Sequence, residues 1–182
     1  ATELLVRLGN TKAAAFDISA ACAGFCYGVA LANDLVRNKT AKNVLVMGAE
    51  KLSDFTDPDD RATAFIFADG AGSVVIGPSQ DIGIGPTVWG ASAETRDAIV
   101  LEPSYLEYKK NPGKLDLGWP NINQQGQTVF RWAVYEIAPI ALRGRHVLPV
   151  LCRVEVEHPS VEVLAGRASV VIEDLRADDE RD

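Results

Sequence analysis

The sequence predicts an α/β domain built around a largely parallel sheet, and three observations predict it. Apolar runs of strand length stand at 13–18, 43–49 and 73–77. A longer segment with helical apolar spacing separates the first two. Glycine and asparagine punctuate the boundaries, so strand, helix and strand follow one another as in layered α/β folds.

Taken in order, residues 2–8 read as the end of a helix stopped by Gly9-Asn10. Residues 13–18 (Ala-Ala-Ala-Phe-Asp-Ile) form a buried-strand candidate. Residues 21–37 place Phe25, Val29, Ala32 and Val36 near helical spacing, with Asn38 as the stop. A second buried strand is expected over 43–49. Residues 63–67 and 73–77 read as two strands joined by a tight turn at Ala68-Asp69-Gly70-Ala71-Gly72. Residues 82–91 are a further strand candidate. Residues 102–125, rich in Pro, Gly and Asn, read as a long loop. Residues 127–137 are expected to be helical, closed by Pro139.

Composition bounds the function. A chain of 182 residues is one domain, or a generous half of something larger. With 47% hydrophobic and 24% charged residues it has the material for a core, which argues against disorder. No apolar run approaches the roughly 18–20 residues of a membrane span. The start, Ala1-Thr2-Glu3, lacks a basic stretch leading into an apolar one, so no signal peptide is expected. The absence of an initiating Met suggests a processed chain or a fragment. The net charge of −7 offers no basic face for nucleic acid. Three cysteines, an odd count, argue against a disulfide framework and for a reducing compartment, the cytoplasm.

Charge is unevenly spread. All seven lysines lie at or before Lys114, and the last forty residues use arginine alone. Both histidines, His146 and His158, fall in that tail. This marks a boundary near residue 140, between a domain over 1–140 and an unrecognised tail over 141–182. The tail has apolar runs at 147–151, 161–164 and 168–172, where strands are possible, and ends in a charged stretch expected to fray. A frameshifted or disordered tail fits this composition.

The sharpest chemical feature is Ser19-Ala20-Ala21-Cys22-Ala23-Gly24-Phe25, which joins a strand to a helix. Small residues let the backbone turn and a ligand approach. A thiol in a first helical turn sits near free N–H groups and the positive end of the dipole, which favour the thiolate and could hold an oxyanion. On spacing alone the commoner reading of Cys22 is a small buried hydrophobe, since most free cysteines are core residues. Cys26 lies one turn on, but Cys-x3-Cys alone is not a zinc signal, and no metal site is expected. Cys152 has no motif. Asp54, Asp57, Asp59 and Asp60 lack the glycine and final glutamate of a calcium loop, so turn capping is the better reading. Gly83-Ile84-Gly85-Pro86 is only a fragment of a dinucleotide pattern. Residues 1–140 contain no histidine to serve a cysteine as base.

The segment Ala15-Phe16-Asp17-Ile18-Ser19-Ala20-Ala21-Cys22-Ala23-Gly24-Phe25 resembles the nucleophile region of β-ketoacyl-acyl-carrier-protein synthase III. Asp57-Pro58-Asp59-Asp60-Arg61-Ala62-Thr63, with Ile66-Phe67-Ala68-Asp69-Gly70-Ala71-Gly72, resembles that family too. Gly126-Gln127-Thr128-Val129-Phe130-Arg131 looks like the start of its second-half helix. The resemblance covers about residues 1–140. It implies a thiolase-like layered α-β-α architecture, incomplete here because the match is to the middle of a two-half fold. It also implies an acyltransferase that loads an acyl group from acyl-coenzyme A onto a cysteine. That group is then condensed with malonyl-acyl-carrier protein, with loss of carbon dioxide, to begin fatty-acid synthesis. No cofactor is implied, since acyl-coenzyme A is a substrate, and the complete enzyme is expected to be a homodimer.

By the same resemblance, Cys22 is the acylated nucleophile and its N–H is half of an oxyanion hole. Arg61 packs on the coenzyme A adenine, a role that suits a planar guanidinium. The other reading of Arg61 is an ion pair within the aspartate cluster. Phe67 lies near the acyl pocket. Arg131 is a basic position on the face that meets the acidic carrier protein. The family's histidine in a Pro-His-Gln-Ala-Asn-like motif and its asparagine in a Gly-Asn-Thr-Ser-like motif are not found in these residues. Full condensation is therefore not expected of them. Two alternatives stand beside this reading. One is a polyketide starter synthase or a related ester-forming acyltransferase. The other is a non-catalytic dimerisation or structural piece.

Overall fold

The structure, a computed structural model, describes residues 1–81, 83–113, 118–137, 139 and 167–173. The chain divides into two compact units. One comprises Ala1–Glu50, Gly70–Thr87 and Pro149–Asp182, the other Lys51–Asp69 and Val88–Leu148.

In the first unit, α1 (Thr2–Arg7) ends where Gly9 takes a φ of 73° and donates its N–H to the Val6 carbonyl, a stop that glycine makes easy. The Asn10 side chain accepts from the N–H groups of Lys12 and Ala13, turning the chain into β1 (Ala14–Ile18). A 3-10 turn over Ala21–Ala23 leads into α2 (Gly24–Arg37). The helical spacing read from the sequence is realised, with Ala32 fully buried and Val29 and Val36 packed beside it. Asn38 is the C-cap, and Lys39, at φ 58°, takes the left-handed position that completes the stop. Strands β2 (Asn43–Glu50) and β3 (Gly70–Ile76) follow. The core is small and aliphatic: Ala32, Ala41, Val44, Val46 and Ile76, flanked by Ile18, Leu35, Val74 and Ile84.

The sheet order is β1-β6-β2-β3, where β6 is Arg167–Glu173. The expectation of a largely parallel sheet is corrected here, because every pairing among the described residues is antiparallel. Strands β1 and β2 do run the same way, as their helical crossover requires, but β6 lies antiparallel between them. The apolar run at 168–172 thus forms the strand that was possible there. The apolar runs at 147–151 and 161–164, Cys152 and both histidines lie outside the described residues.

Two strand expectations fail in instructive ways. Residues 63–67 are turns, not a strand: the N–H groups of Thr63 and Ala64 donate to the Asp60 carbonyl, and those of Ile66 and Phe67 to Thr63. The glycines expected to make a tight connection are instead in β3, where Gly70 and Gly72 pair with Glu50 and Gly48. The described residues of 82–91 form no strand.

The second unit holds β4 (Ile99–Glu102), α3 (Tyr105–Lys110), β5 (Asn121–Gln124) and α4 (Gly126–Trp132). The expected loop over 102–125 therefore contains a helix and a strand. Ser104 and Glu107 form a reciprocal capping box that starts α3. Strand β5 pairs antiparallel with β4, Val100 facing Asn123. Helix α4 continues as a π-turn over Ala133–Ile137, matching the expected span, and the expected stop at Pro139 abuts residues outside the described set.

Candidate active site

The turn that carries Cys22 is built from its two neighbours. Strand β1 ends at Ile18 and the 3-10 turn begins at Ala21. Between them Ala20 sits at φ −144°, ψ 26°, and Ala21 at φ 45°. A positive φ is sterically costly for any residue with a Cβ, so Ala21 is a strained link, and such links gather at functional sites. The Ala23 N–H closes the turn by donating to the Ala20 carbonyl at 3.1 Å. Cys22 is exposed, free of disulfide, and stands at the N-terminal end of the fourteen-residue α2. Its reading as a small buried hydrophobe is thereby corrected. Cys26, one turn further, is exposed and free as well, so its expected place in the core is also corrected. Beneath the turn, Phe25 packs on β2 so closely that a Cβ on Gly48 would lie 3.4 Å from its ring.

Arg61 and Phe67 lie in the second unit, on a segment shaped by carboxylates. Asp57 accepts from the Asp59 N–H at 2.9 Å. Asp60 accepts from the Ala62 N–H at 2.9 Å and from the Thr63 hydroxyl at 2.5 Å. Thr63 is completely buried and satisfied by this bond. The Thr63 hydroxyl, with help from the Ala62 N–H, holds the Asp60 carboxyl below its ordinary value of 3.8. Asp54 pairs with Lys51. The turn-capping reading of the aspartates thus describes this cluster, and no metal-holding group occurs among the described residues. Arg61 is exposed, and among the described residues no carboxylate pairs with it. Phe67 is half-buried. Asp69 accepts the Ser53 N–H at 2.8 Å and the Ser53 hydroxyl at 2.7 Å, and these bonds hold its carboxyl low.

Arg131 projects from α4 into solvent. The inner side of α4 gives Thr128, Val129 and Trp132 to a mainly apolar cavity of about 310 Å³, completed by Ser92, Thr95 and Arg96 among others. None of the four residues singled out from the sequence lines it. The three-residue spacing of Val129 and Trp132 on one helix face is the signal that could have found it. Cys22 belongs to one unit, and Arg61, Phe67 and Arg131 to the other. No helix among the described residues is long and apolar enough to cross a membrane.

Residues 16–93 match a family described as 3-oxoacyl-[acyl-carrier-protein (ACP)] synthase III. The β-ketoacyl-[acyl-carrier-protein] synthase III of Streptomyces glaucescens is 51% identical over 141 residues, which is 78% of this chain and 41% of that protein. Synthase III 1 of Streptomyces coelicolor is 52% identical, covering 78% and 43%. The chain thus spans about two-fifths of the length of these curated relatives. Among solved structures, the priming β-ketosynthase of the R1128 polyketide biosynthetic pathway superposes with a TM-score of 0.73. It is 38% identical and covers 79% of this chain and 42% of that one. The β-ketoacyl-[acyl-carrier-protein] synthase III of Thermus thermophilus gives 0.66 at 32% identity, covering 80% and 44%. The fold is therefore α/β and thiolase-like, present here in part.

Proposed function

With residues 16–93 belonging to the 3-oxoacyl-[acyl-carrier-protein] synthase III family, we propose that this chain carries the acyl-accepting step of a β-ketoacyl-acyl-carrier-protein synthase III. The observation that carries the reading is Cys22, exposed at a strained strand-to-helix turn inside the matched segment. The Cys22 sulfur attacks the thioester carbonyl of acyl-coenzyme A. The carbon–sulfur bond to coenzyme A breaks, and its thiol leaves with the proton. The Cys22 amide, at the start of the helix, offers a donor to the oxygen that gains charge. Arg61, exposed and unpaired among the described residues, is the candidate for stacking on the adenine; Phe67 is the candidate wall of the acyl site, and Arg131 the contact for an acidic carrier protein. No cofactor is needed for this transfer, and a bacterial cytoplasm supplies its substrates. In the complete enzyme, a homodimer by this reading, decarboxylation of malonyl-acyl-carrier protein supplies the carbanion that takes the acyl group from Cys22.

The test is intact-mass measurement after incubation with acetyl-coenzyme A. An acetyl adduct present in the chain and lost in Cys22→Ala supports the reading. Its absence, with Cys22 alkylated no faster than a free thiol, favours the structural or dimerisation alternative. Formation of β-ketoacyl product from malonyl-acyl-carrier protein is not expected of these 182 residues alone, because neither the histidine nor the asparagine motif is among them. Turnover at the rate of a complete synthase would refute that.

The likeness to a priming ketosynthase of a polyketide pathway favours one second reading, a starter-unit synthase. Competition between acetyl- and longer acyl-coenzyme A for Cys22 separates the two.

A further inference from the structure

Strand β6 repeats β3. Residues 73–76 and 169–172 are both Ser-Val-Val-Ile. The two strands take opposite edges of β2 in one register: Val44 faces Ile76 and Ile172, Val46 faces Val74 and Val170, and Met47 faces Ser73 and Ser169. On its other edge β6 pairs with β1, Phe16 facing Val170 and Ile18 facing Ala168. Among the described residues β6 is the only strand that β1 pairs with. Yet β6 lies outside residues 16–93, the segment that matches the family.

We propose that β6 is a positioning element for Cys22: by duplicating β3 it takes the free edge of β2 and ties β1, and with it the Cys22 turn, to the sheet. This rests on the reading of Cys22 as nucleophile. The physical argument is one of restraint. Ala21 at φ 45° persists only if both ends of the turn are held. On the C-terminal side α2 is held by the aliphatic core. On the N-terminal side, among the described residues, β6 is the strand whose ladder holds β1. Breaking β6 in its middle is therefore expected to loosen the turn from one end while leaving the β2–β3 pairing in place.

The test needs no acyl substrate, so it can fail or succeed independently of acylation. Hydrogen exchange on the unaltered chain reads whether amides of 14–18 and 168–172 are protected together, as expected. Val170→Pro places a proline in the middle of β6, between its pairings with β1 and β2. In a Cys26→Ser, Cys152→Ser background, it is expected to speed exchange over 14–18 and to change the iodoacetamide rate of Cys22 by about threefold or more. Val170→Ile, which keeps the amide, restores both. Ala168→Gly, which makes 168–172 identical to 72–76, leaves both unchanged. In a Cys22→Ser, Cys152→Ser background, Cys26 is expected to keep its rate in Val170→Pro. The proposal is overturned if 168–172 exchanges like free peptide in the unaltered chain. It is equally overturned if 14–18 stays protected in Val170→Pro, or if Cys22 and Cys26 change together.

Discussion

The left-handed φ of Ala21 makes a stability prediction at a single residue. A β-branched side chain is strained further there and a glycine is not. Ala21→Val is expected to lower stability by about 1–2 kcal/mol, and Ala21→Gly to hold or raise it, both read by urea denaturation. A valine variant as stable as the parent would show that the turn is not held left-handed. The acid limb is a second prediction. The Ser53 N–H and hydroxyl hold the Asp69 carboxyl below its ordinary value of 3.8. A carboxyl lowered by folding stabilises above its unfolded value and loses that contribution as pH falls through the folded one. Asp69→Asn is therefore expected to flatten the loss of stability below about pH 4, and an unchanged acid limb in that variant would count against the Ser53 bonds. The turn that carries Cys22 was legible, because small residues stand between a run of strand length and a segment of helical spacing. The exposure of Cys22 was not, since a core cysteine has the same apolar neighbours. The strain before it was hidden too, because alanine does not announce a positive φ as glycine does.

Among the elements, β1, α2 and β2 were legible for one reason: their apolar residues recur at the spacing that the core imposes. The prediction at this scale follows from that core. Val46 is completely buried on the central face of β2, so Val46→Ala is expected to cost about 2 kcal/mol in chemical denaturation. A loss under about 0.5 kcal/mol would place Val46 outside a packed core. The elements that were missed share a cause as well. Residues 63–67 look like a strand by apolarity, but the Asp60 side chain and carbonyl capture the amides and wind the segment into turns. Helix α3 hides in a stretch rich in Pro and Gly, though Ser104 and Glu107 at capping-box spacing were a usable sign. Strand β6 was visible as an apolar run, but its place between β1 and β2 does not follow the order along the chain.

For the whole molecule the governing quantity is the net charge of −7. On the proposed reading such a field repels an acidic carrier protein, which calls for a local contact, and the exposed Arg131 is the candidate for it. Arg131→Glu is expected to weaken carrier-protein binding by about threefold or more at low salt, with the difference fading as ionic strength approaches about 0.5 M. Equal binding by both forms at low salt would remove Arg131 from that face. The abrupt loss of lysine beyond residue 114 was legible as a change in the chain. Its consequence was not, because composition does not reveal that residues 167–173 join the sheet of the first unit. The last strand of that sheet has a further bearing, on how the protein behaves at high concentration. Among the described residues β3 is an edge whose Val75 is 64% exposed, and its Gly-Ala-Gly-Ser-Val-Val-Ile carries neither lysine nor proline to blunt it. An edge of this kind is expected to add strands from other copies at high concentration, so Val75→Lys is expected to lower light scattering there.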